Sequence, residues 1–492
     1  GTTARFNTTF FDVGARTFEL RTDTNRVLTG ARGTAAGWDW EAAVGSSQSK
    51  VVTTTGNQVD AQVLRGFIDK GGYNFLAPTP EQTAALRVST TRNAESDLTF
   101  ADLKLSRNLM KLGGGDLGFA AGVEARRESM QSTPDPLAQQ GRLLGTGSSS
   151  YSGSRRAEAM YFELIAPLTR QLEMQLAGRG DHYSDFGSAF SPKFGAKFML
   201  SPQVLVRGSL TKGFRAPTLV ENNNSASLGF DSVIDPQRNN ASSVIGVLNR
   251  GSSGLKAEES TSSMMGLVMQ PAKDVTLAVD WYRIEQRNLV ALNGAQFIVR
   301  NPALFPGAVV RDPVTQTILV VYDNYSNLAR VQTEGIDVEA GTRLARTEVG
   351  QFGLRLSATH MRSYDYQAKP DIAEVDYAGR NDGPFGAMPK LRARLSLDWA
   401  LNKWNASLSL NRTGPYQQRV TTTPGAAASV DGLRTYDLFA AYAASSKLKF
   451  NLSVRNLTDR NPPWDVSTGL GYATGQYDLR GRYVRAGLEF KF

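Results

Sequence analysis

The chain offers few side chains that could perform chemistry on a substrate. Its 492 residues contain no cysteine and two histidines, His182 and His360. Thiol nucleophiles, thiolate zinc sites and disulfide frameworks are therefore excluded. A Ser-His-Asp hydrolase or a zinc hydrolase would depend on one isolated histidine, whereas such sites gather several partners or ligands. We expect no catalytic site and no enzyme.

Two further motifs indicate structure rather than chemistry. Asp181, His182 and Asp185 carry metal-binding groups, but one histidine with two aspartates in a polar segment is typical of a solvated loop. We therefore expect no metal site and no cofactor. The segment Gly113-Gly114-Gly115-Asp116 is not a phosphate loop, because no Gly-Lys-Ser/Thr follows it. It predicts a hairpin turn.

The charge pattern argues against a nucleic-acid partner. The formal net charge is +9, but the basic residues are scattered, and the tightest pairs are Arg126-Arg127 and Arg155-Arg156. No basic run is interleaved with aromatic residues, as a nucleic-acid groove would require. No stretch approaches 18 apolar residues, which excludes a transmembrane helix but not a β-barrel.

The elements that must position any site alternate with period two. In residues 404–411, Trp404, Ala406, Leu408 and Leu410 fall on one face, and Asn405, Ser407, Ser409 and Asn411 fall on the other. Residues 391–399, 448–455 and 484–492 show the same alternation, as do 119–126 and 172–179 in the first half. These segments predict strands with one dry and one wet face.

Connection lengths separate a soluble sheet from a membrane barrel. Short turns are predicted at Ala166–Thr169, Leu200–Gln203, Pro271–Asp274, Leu401–Lys403 and Ala444–Ser446. Long connections are predicted at 51–95, 132–154, 215–257, 290–330, 363–388, 413–433 and 458–480. Short and long connections alternate, as the periplasmic turns and extracellular loops of outer-membrane barrels do. Trp399 and Trp404 flank one turn on the apolar face, where an aromatic girdle is expected.

We count about 19 strand candidates, beginning near Ala4–Val13 and ending with Arg482–Phe492. The fold class predicted is all-β, an antiparallel transmembrane barrel with long extracellular loops and short periplasmic turns. An odd count would start the chain on the extracellular side. We therefore expect that strands preceding Gly1 are missing.

Five strings, in order, carry a family resemblance. They are Gly213-Phe214-Arg215-Ala216-Pro217-Thr218-Leu219, Leu255-Lys256-Ala257-Glu258-Glu259-Ser260, Gln332-Thr333-Glu334-Gly335-Ile336-Asp337-Val338-Glu339, Val454-Arg455-Asn456-Leu457-Thr458-Asp459-Arg460 and Gly481-Arg482-Tyr483 leading to Phe492. Together they resemble the C-terminal barrel of TonB-dependent outer-membrane receptors. The structural motif residues so implied are Gly213, Phe214, Arg215, Ala216, Pro217, Glu258, Glu259, Gly335, Asn456, Leu457 and Phe492.

The resemblance implies a 22-stranded barrel in a Gram-negative outer membrane, blocked by an N-terminal plug. It implies uptake of a scarce, large solute with energy supplied through TonB, and Phe492 resembles the signal read by the barrel-assembly machinery. Outer-membrane lipid and lipopolysaccharide would surround the wall. Residues 1–492 are then one barrel domain that lacks the plug, the TonB box and the first few strands.

The motif residues also have a physical interpretation. Pro217 lacks an N–H, so the hydrogen-bond ladder must stop near it. Gly213 permits a bulge or a close backbone approach where the strand leaves the membrane. Arg215 is expected to pair with Glu258 and Glu259 on the neighbouring strand.

Candidate solute contacts project from the inner wall or from the loops. They are Arg207, Arg215, Arg392 and Arg394 on the wall, and Tyr151, Asn222, Phe230, Tyr364, Tyr366 and Tyr416 in the loops. Arginines suit anionic ligands because the guanidinium pairs with carboxylate or phosphate bidentately. Aromatic rings stack on sugars or on ring-bearing chelators. An alternative is that inner-wall arginines contact the acidic face of a plug.

Three functions remain open at this point. The first is active uptake of a ferric siderophore or an oligosaccharide, which the resemblance leaves nearly level. The second is a passive porin or a structural barrel. The third, an outer-membrane barrel enzyme, would need an acid, a base and a nucleophile near the rim, and two histidines leave few options.

Overall fold

The computed structural model describes residues 9–344, 346–381, 385–418, 428–466, 468 and 470–491. The strands are β1 Thr17–Ala35, β2 Trp38–Val59, β3 Arg87–Leu112, β4 Gly115–Thr133, β5 Ser149–Pro167, β6 Leu172–Tyr183, β7 Gly187–Ser201, β8 Val204–Arg215, β9 Asn224–Asp235, β10 Ala241–Arg250, β11 Glu258–Ala272, β12 Val275–Ala291, β13 Val309–Arg311, β14 Ile318–Asn324, β15 Ser326–Arg343, β16 Gln351–Gln367, β17 Val375–Asp376, β18 Arg380–Asn381, β19 Leu391–Leu401, β20 Trp404–Thr413, β21 Tyr416–Gln418, β22 Ser429–Val430, β23 Leu433–Ala443, β24 Leu448–Arg455 and β25 Tyr483–Phe490.

The helices are short and lie outside the main strands. They are α1 Ala61–Asp69, α2 Pro80–Leu86, α3 Pro136–Gln139, α4 Leu219–Asn222 and α5 Ala295–Arg300, with 3-10 turns at Phe11–Val13, Pro236–Arg238 and Pro302–Leu304. Among the described residues, no helix has the length and apolar character needed to cross a bilayer.

A single antiparallel wall dominates the fold. In the described part of the chain the main sheet has 22 strands, of which five (β9, β10, β13, β14 and β17) lie in loops, so 17 form the wall. Each wall strand pairs with the next wall strand along the chain, from β1–β2 through β8–β11 and β16–β19 to β24–β25. Within the described ranges, no pairing joins β1 to β25. The predicted all-β antiparallel class is confirmed.

The wall exposes its apolar face and shelters its polar face. Met160 is 68% exposed, and Phe190, Leu210, Met265 and Leu488 are exposed in the same way, whereas Ser409 on the opposite face is 1% exposed. A soluble sheet would bury the apolar side, so this inversion is the arrangement of a wall that faces lipid. We call the apolar side the outer face and the polar side the inner face. We call the end of the wall with the short connections the turn end and the opposite end the long-loop end. Trp404 and Tyr442 lie side by side on the outer face at the turn end, with ring centroids 4.6 Å apart.

Connections follow the predicted alternation, with two corrections. The predicted loop 51–95 was too long, because β2 extends to Val59 and β3 begins at Arg87. The connection between β6 and β7 spans only residues 184–186 although it lies at the long-loop end.

The predicted first strand near Ala4–Val13 was wrong in its described part, since Phe11–Val13 forms a 3-10 turn and the first strand begins at Thr17.

Two long connections build a folded body above the wall. Strands β9, β10, β13 and β14, with α5, enclose a core of Val233, Ile245, Ile298, Val299 and Val321. β9 pairs with β5, which fixes the body to the wall. We call this unit the loop body.

One buried ion pair closes the loop body. Asp235 is 2% exposed, and Arg311 donates to both of its carboxylate oxygens at 2.6 and 2.9 Å. The hydrogen bonds from Arg311 hold the pKa of Asp235 below its ordinary value of 3.8, against the opposing effect of burial. A depressed folded-state pKa means that the pair stabilises the loop body above about pH 4 and that this contribution is lost as the pH falls through the folded pKa.

Asp235→Asn is therefore expected to destabilise the loop body at pH 7. The cost should be about 1–2 kcal/mol, because a charge-assisted pair becomes a neutral one. Amide hydrogen exchange of β13 and β14 should quicken, and the difference from wild type in protease susceptibility should shrink at pH 3. The matched control is Asp231→Asn on the same strand, whose carboxylate is exposed and accepts from its neighbour Ser232. Unchanged exchange in Asp235→Asn would contradict the assignment.

Candidate functional site

Two of the four predicted arginines are committed to ion pairs. Arg207 donates to both oxygens of Asp280, at 2.9 and 2.7 Å, near the turn end of the wall. Arg215 pairs with Glu258 and, at 3.0 Å, with Glu221 of α4. These guanidiniums hold neighbouring elements together, and their hydrogen-bonding edges face carboxylates of the chain itself.

The pairing of Arg215 follows strand alternation. Glu258 lies directly opposite Arg215 in the β8–β11 register, whereas Glu259 lies opposite Phe214 and so faces the other side. The predicted contact with Glu258 is observed, and the predicted contact with Glu259 was wrong because adjacent strand residues point to opposite faces. The second carboxylate that binds Arg215 is instead that of Glu221, four residues beyond Pro217.

The other two predicted arginines contact only neutral groups. Arg394 donates to Ser409 at 3.0 Å and to Ser396 at 3.4 Å. Arg392 donates to the amide oxygen of Gln476, which the 456–482 connection brings over the wall. Among the described residues, neither guanidinium forms an ion pair, so both keep a positive charge that a bound anion could neutralise.

Aromatic rings gather above these cations. Tyr364 and Tyr366 lie two residues apart on β16, and the ring of Phe385 meets them edge-on at centroid distances of 5.2 and 4.9 Å. Tyr377 lies 6.3 Å from Tyr366. The sequence predicted the two tyrosines, and the loop that follows β16 returns to add Phe385 and Tyr377.

The cations and the rings occupy one face of two neighbouring strands. Arg392 lies opposite Thr359 in the β16–β19 register, and Tyr364 lies opposite Thr333 on β15. Ile336 on β15 is exposed on the outer face. Thr333 precedes it by three residues, so strand alternation places Thr333, and Tyr364 opposite it, on the inner face. We call Tyr364, Tyr366, Phe385, Arg392 and Arg394 the β16–β19 site. It combines unpaired positive charge with stacking surfaces.

The remaining predicted loop residues are dispersed. Tyr416 is buried, and its hydroxyl donates to Asp465 at 2.9 Å; burial, followed by that carboxylate, raises the pKa of Tyr416. Asn222 is buried and donates to the carbonyl of Asp185 at 3.2 Å. Both residues hold loops together and offer no surface to a solute in this structure, contrary to prediction. Tyr151 lies on β5 where β9 joins it, and Phe230 is exposed on β9.

Sequence reasoning missed a buried lysine between two loops. Lys369 is 7% exposed, and its ammonium lies 2.9 Å from the ring centroid of Phe297 and 5.7 Å from that of Phe305. Burial lowers the pKa of Lys369. The contact connects the loop after β16 to the loop body. No pattern in the sequence indicates it, because residues 297 and 369 come from different loops.

An inner-wall charge network was also missed. Glu124, Arg126 and Glu128 alternate along β4, with Arg126 at 3.0 and 2.8 Å from the two glutamates. Arg155 joins Glu128 at 2.9 Å, and Arg179 joins Asp181 at 2.9 Å. Alternating charges on one strand are the signal that could have revealed this network. Its charges neutralise one another, so it is less suited to an anionic solute than Arg392 and Arg394.

The structure separates the groups that were considered as a metal site. His182 is exposed on the outer face, where Nδ1 lies 2.9 Å from the hydroxyl of Ser188. Asp181 is buried on the inner face, bound to Arg179. Among the described residues, no cluster of three metal-binding side chains is found.

The motif residues shape the wall and the loop exits. Gly213 allows Ser260 to approach, and Gly335 allows the ring of Tyr282 to lie against the backbone. Ala216 and Pro217 continue from β8, and the Pro217 carbonyl accepts from Arg155 at 2.7 Å. Asn456, at φ 49°, closes a turn by bonding the backbone of Arg460, and Leu457 follows it. Phe492 lies outside the described residues.

A comparison with protein families agrees with this architecture. The family described as the β-barrel of TonB-dependent receptor-like proteins matches residues 2–457. The chain belongs to this family. The TonB-dependent receptor barrel is an outer-membrane architecture, and we place the chain in the Gram-negative outer membrane.

Relatives of this TonB-dependent receptor barrel include iron-related proteins. An iron-regulated outer membrane virulence protein of Vibrio cholerae is 26% identical over 186 residues, which is 37% of this chain and 27% of that protein. The siderophore receptor PirA of Acinetobacter baumannii has a TM-score of 0.64 at 14% identity, covering 96% of this chain and 63% of PirA. The ferripyoverdine receptor of Pseudomonas aeruginosa has a TM-score of 0.60 at 15% identity, covering 95% and 56%. These structures share the fold, and this chain spans less than two thirds of each.

Proposed function

We propose that the protein is the barrel of an outer-membrane receptor that binds an anionic, ring-bearing ferric siderophore and imports it. The observation that carries the proposal is the β16–β19 site, where Arg392 and Arg394 lack carboxylate partners within the described ranges and lie on the inner face below the Tyr364, Tyr366 and Phe385 rings. Guanidiniums bind anionic oxygens, and aromatic rings stack on aromatic chelating groups. The iron-regulated relative and the siderophore-receptor neighbours favour iron over an oligosaccharide.

The proposal includes partners that the wall residues alone do not specify. TonB would supply energy through a plug and a TonB box within the complete receptor. The barrel-assembly machinery would recognise Phe492. Outer-membrane lipid, including lipopolysaccharide, would contact the apolar outer face.

The test is siderophore binding by the full-length receptor. Arg392→Gln/Arg394→Gln is expected to raise the Kd for an anionic ferric chelate at least about tenfold, because charge-assisted hydrogen bonds are lost. Affinity for an uncharged ferric chelate should change less. Fluorescence titration measures both, and uptake of radiolabelled iron by cells lacking their own receptor reports transport.

The matched control is Arg355→Gln. Arg355 also lies on the inner face of β16 but pairs with Asp398 at 2.7 and 2.8 Å. Its effect on the Kd should be much smaller than that of the double variant, although the freed Asp398 carboxylate also interacts electrostatically with Arg394. Equal affinities in wild type and the double variant would remove the β16–β19 site from the proposal. Binding of oligosaccharides without any binding of ferric chelates would contradict the proposed substrate class.

A further inference from the structure

Arginines face each other across two strand pairs on the outer face. Arg127 of β4 lies directly opposite Arg156 of β5, and Arg412 of β20 lies directly opposite Arg434 of β23. The register is regular in both places. Arg127 is four residues beyond the exposed Val123, so it shares the outer face with that residue. Arg412 is likewise four residues beyond the exposed Leu408. We call them the outer arginine pairs.

Neither pair has an ion-pair partner among the described residues. Like charges directly opposite each other destabilise an antiparallel sheet. Among the described residues, none of the four guanidiniums forms an ion pair. On the inner face, by contrast, two opposed cations each have a carboxylate partner. Lys197 lies opposite Arg207. Lys197 pairs with Glu173 at 3.0 Å, and Arg207 pairs with Asp280 at 2.7 Å. The outer pairs are therefore open to an anion from outside the chain.

Their height on the wall indicates which anion is available. On β4 the outer residues Phe119, Ala121, Val123 and Ala125 form the apolar band, and Arg127 is the next outer residue toward the long-loop end. On β23, Arg434 is the next outer residue beyond the exposed Tyr436 toward the long-loop end of the wall. The long loops are extracellular, so both pairs lie at the headgroup level of the outer leaflet.

A groove in the outer face leads up to the first pair. Small residues lie opposite one another on neighbouring strands, Ala31 with Ala42 and Ala101 with Ala125. They leave a mostly apolar groove of about 1020 Å³ between larger outer residues such as Val123 and Met160, with Glu158 and His182 also in its lining. An adjoining depression, which shares Val44, Ala101 and Ala125 with this groove, reaches Arg127 and Arg156. On a lipid-facing surface, such a groove fits a hydrocarbon chain.

We infer that each outer arginine pair binds a phosphate group of a phosphorylated, acylated saccharide lipid of the outer leaflet. At the Arg127–Arg156 pair, an acyl chain of the same lipid lies in the groove. Two guanidiniums bind one phosphate because their forked donors match its oxygens, and the phosphate removes their mutual repulsion. The inference rests on the outer face and is independent of the solute, so its failure leaves the proposed transport function untouched.

One carboxylate lies close to this phosphate site. Glu158 lines the same groove, two residues from Arg156 on the outer face, and lies opposite His182. Within the described ranges it forms no ion pair. A carboxylate there accepts a hydrogen bond from a hydroxyl. This favours a headgroup that places hydroxyls beside its phosphate, as a phosphorylated saccharide does.

The experiment measures lipid retained by the full-length receptor after mild detergent extraction. Wild type, Arg127→Gln/Arg156→Gln and Arg412→Gln/Arg434→Gln are delipidated and titrated with bis-phosphorylated lipid A, with lipid A stripped of phosphate, and with phosphatidylglycerol. Native mass spectrometry counts the bound lipid. Each double variant should bind bis-phosphorylated lipid A about tenfold more weakly at its site. Phosphate-free lipid A should bind weakly to all three proteins.

The matched control removes two positive charges at the opposite rim. Arg170→Gln/Lys273→Gln changes two exposed residues in the short turns, and it should retain lipid as wild type does. Thermal unfolding gives a second measurement that does not depend on protein yield. Without lipid, the two double variants should be at least as stable as wild type. Added lipid A should raise the Tm of wild type more than it raises the Tm of either double variant. Equal retention and equal Tm shifts in all proteins would overturn the inference. Tighter binding of phosphatidylglycerol than of lipid A would overturn the saccharide assignment.

Discussion

Arg215→Ala is expected to loosen the extracellular end of the wall and, with it, to weaken the proposed siderophore binding. The Arg215 side chain is 43% exposed, but its partners Glu258 and Glu221 are only 10% and 15% exposed. Glu258 also accepts from the backbone of Val290 at 2.8 Å, so the cluster joins β8, α4, β11 and the end of β12. Removing the half-exposed arginine leaves two largely buried carboxylates uncompensated, at a cost of about 2 kcal/mol, between that of an exposed and that of a buried pair. Hydrogen exchange of residues 216–257 should rise sharply.

Two comparisons make this prediction specific. Arg355→Ala removes another bidentate arginine, but its side chain is more exposed, so the cost should stay within about 1 kcal/mol. Combining Arg215→Met with Glu258→Gln should recover part of the lost protection, because one of the two uncompensated carboxylates is gone. Normal hydrogen exchange in Arg215→Ala would show that the cluster does not hold the loops.

Gly335→Val is expected to prevent correct assembly of most of the protein. A Cβ at Gly335 would lie 2.4 Å from the hydroxyl oxygen of Tyr282 and 2.8 Å from the carbonyl oxygen of His360. The tyrosine ring could turn away, but the backbone of β16 cannot move without breaking its pairing with β15. Overpacking of this kind costs about 3 kcal/mol or more. Heat-modifiable mobility on gels would measure the folded fraction in outer membranes.

The control is another glycine inside a wall strand, at a position where an added side chain has free space. Gly180 lies on β6, and a Cβ there would meet nothing within 4 Å, so Gly180→Val should assemble normally. Adding Tyr282→Ala to Gly335→Val should restore assembly only in part, since the contact with the His360 carbonyl remains. Full assembly of Gly335→Val alone would show that the close approach is not required.

Much of the fold could be predicted because a lipid-facing strand shows its environment locally. The alternation in residues 391–399 and 404–411 required one outer and one inner face, and the structure exposes Leu408 while burying Ser409. Connection lengths placed the long loops at one end. Strand ends were less predictable: β2 continues to Val59 beyond the apolar band, because its partner strands continue the hydrogen-bond ladder after the lipid signal ends.

The sequence by itself determined the membrane-facing all-β wall, the loop asymmetry and the residue types that a solute site needs. The tertiary structure decided which of those residues are free. Arg215 and Arg394 are both inner-face arginines in the sequence, but only the folded chain brings Glu221 and Glu258 to the first and leaves serines beside the second. It also decided that Arg127 meets Arg156 on the outer face. The reason is physical: alternation is written along one strand, whereas pairing depends on the register between strands and on loops that return from distant positions.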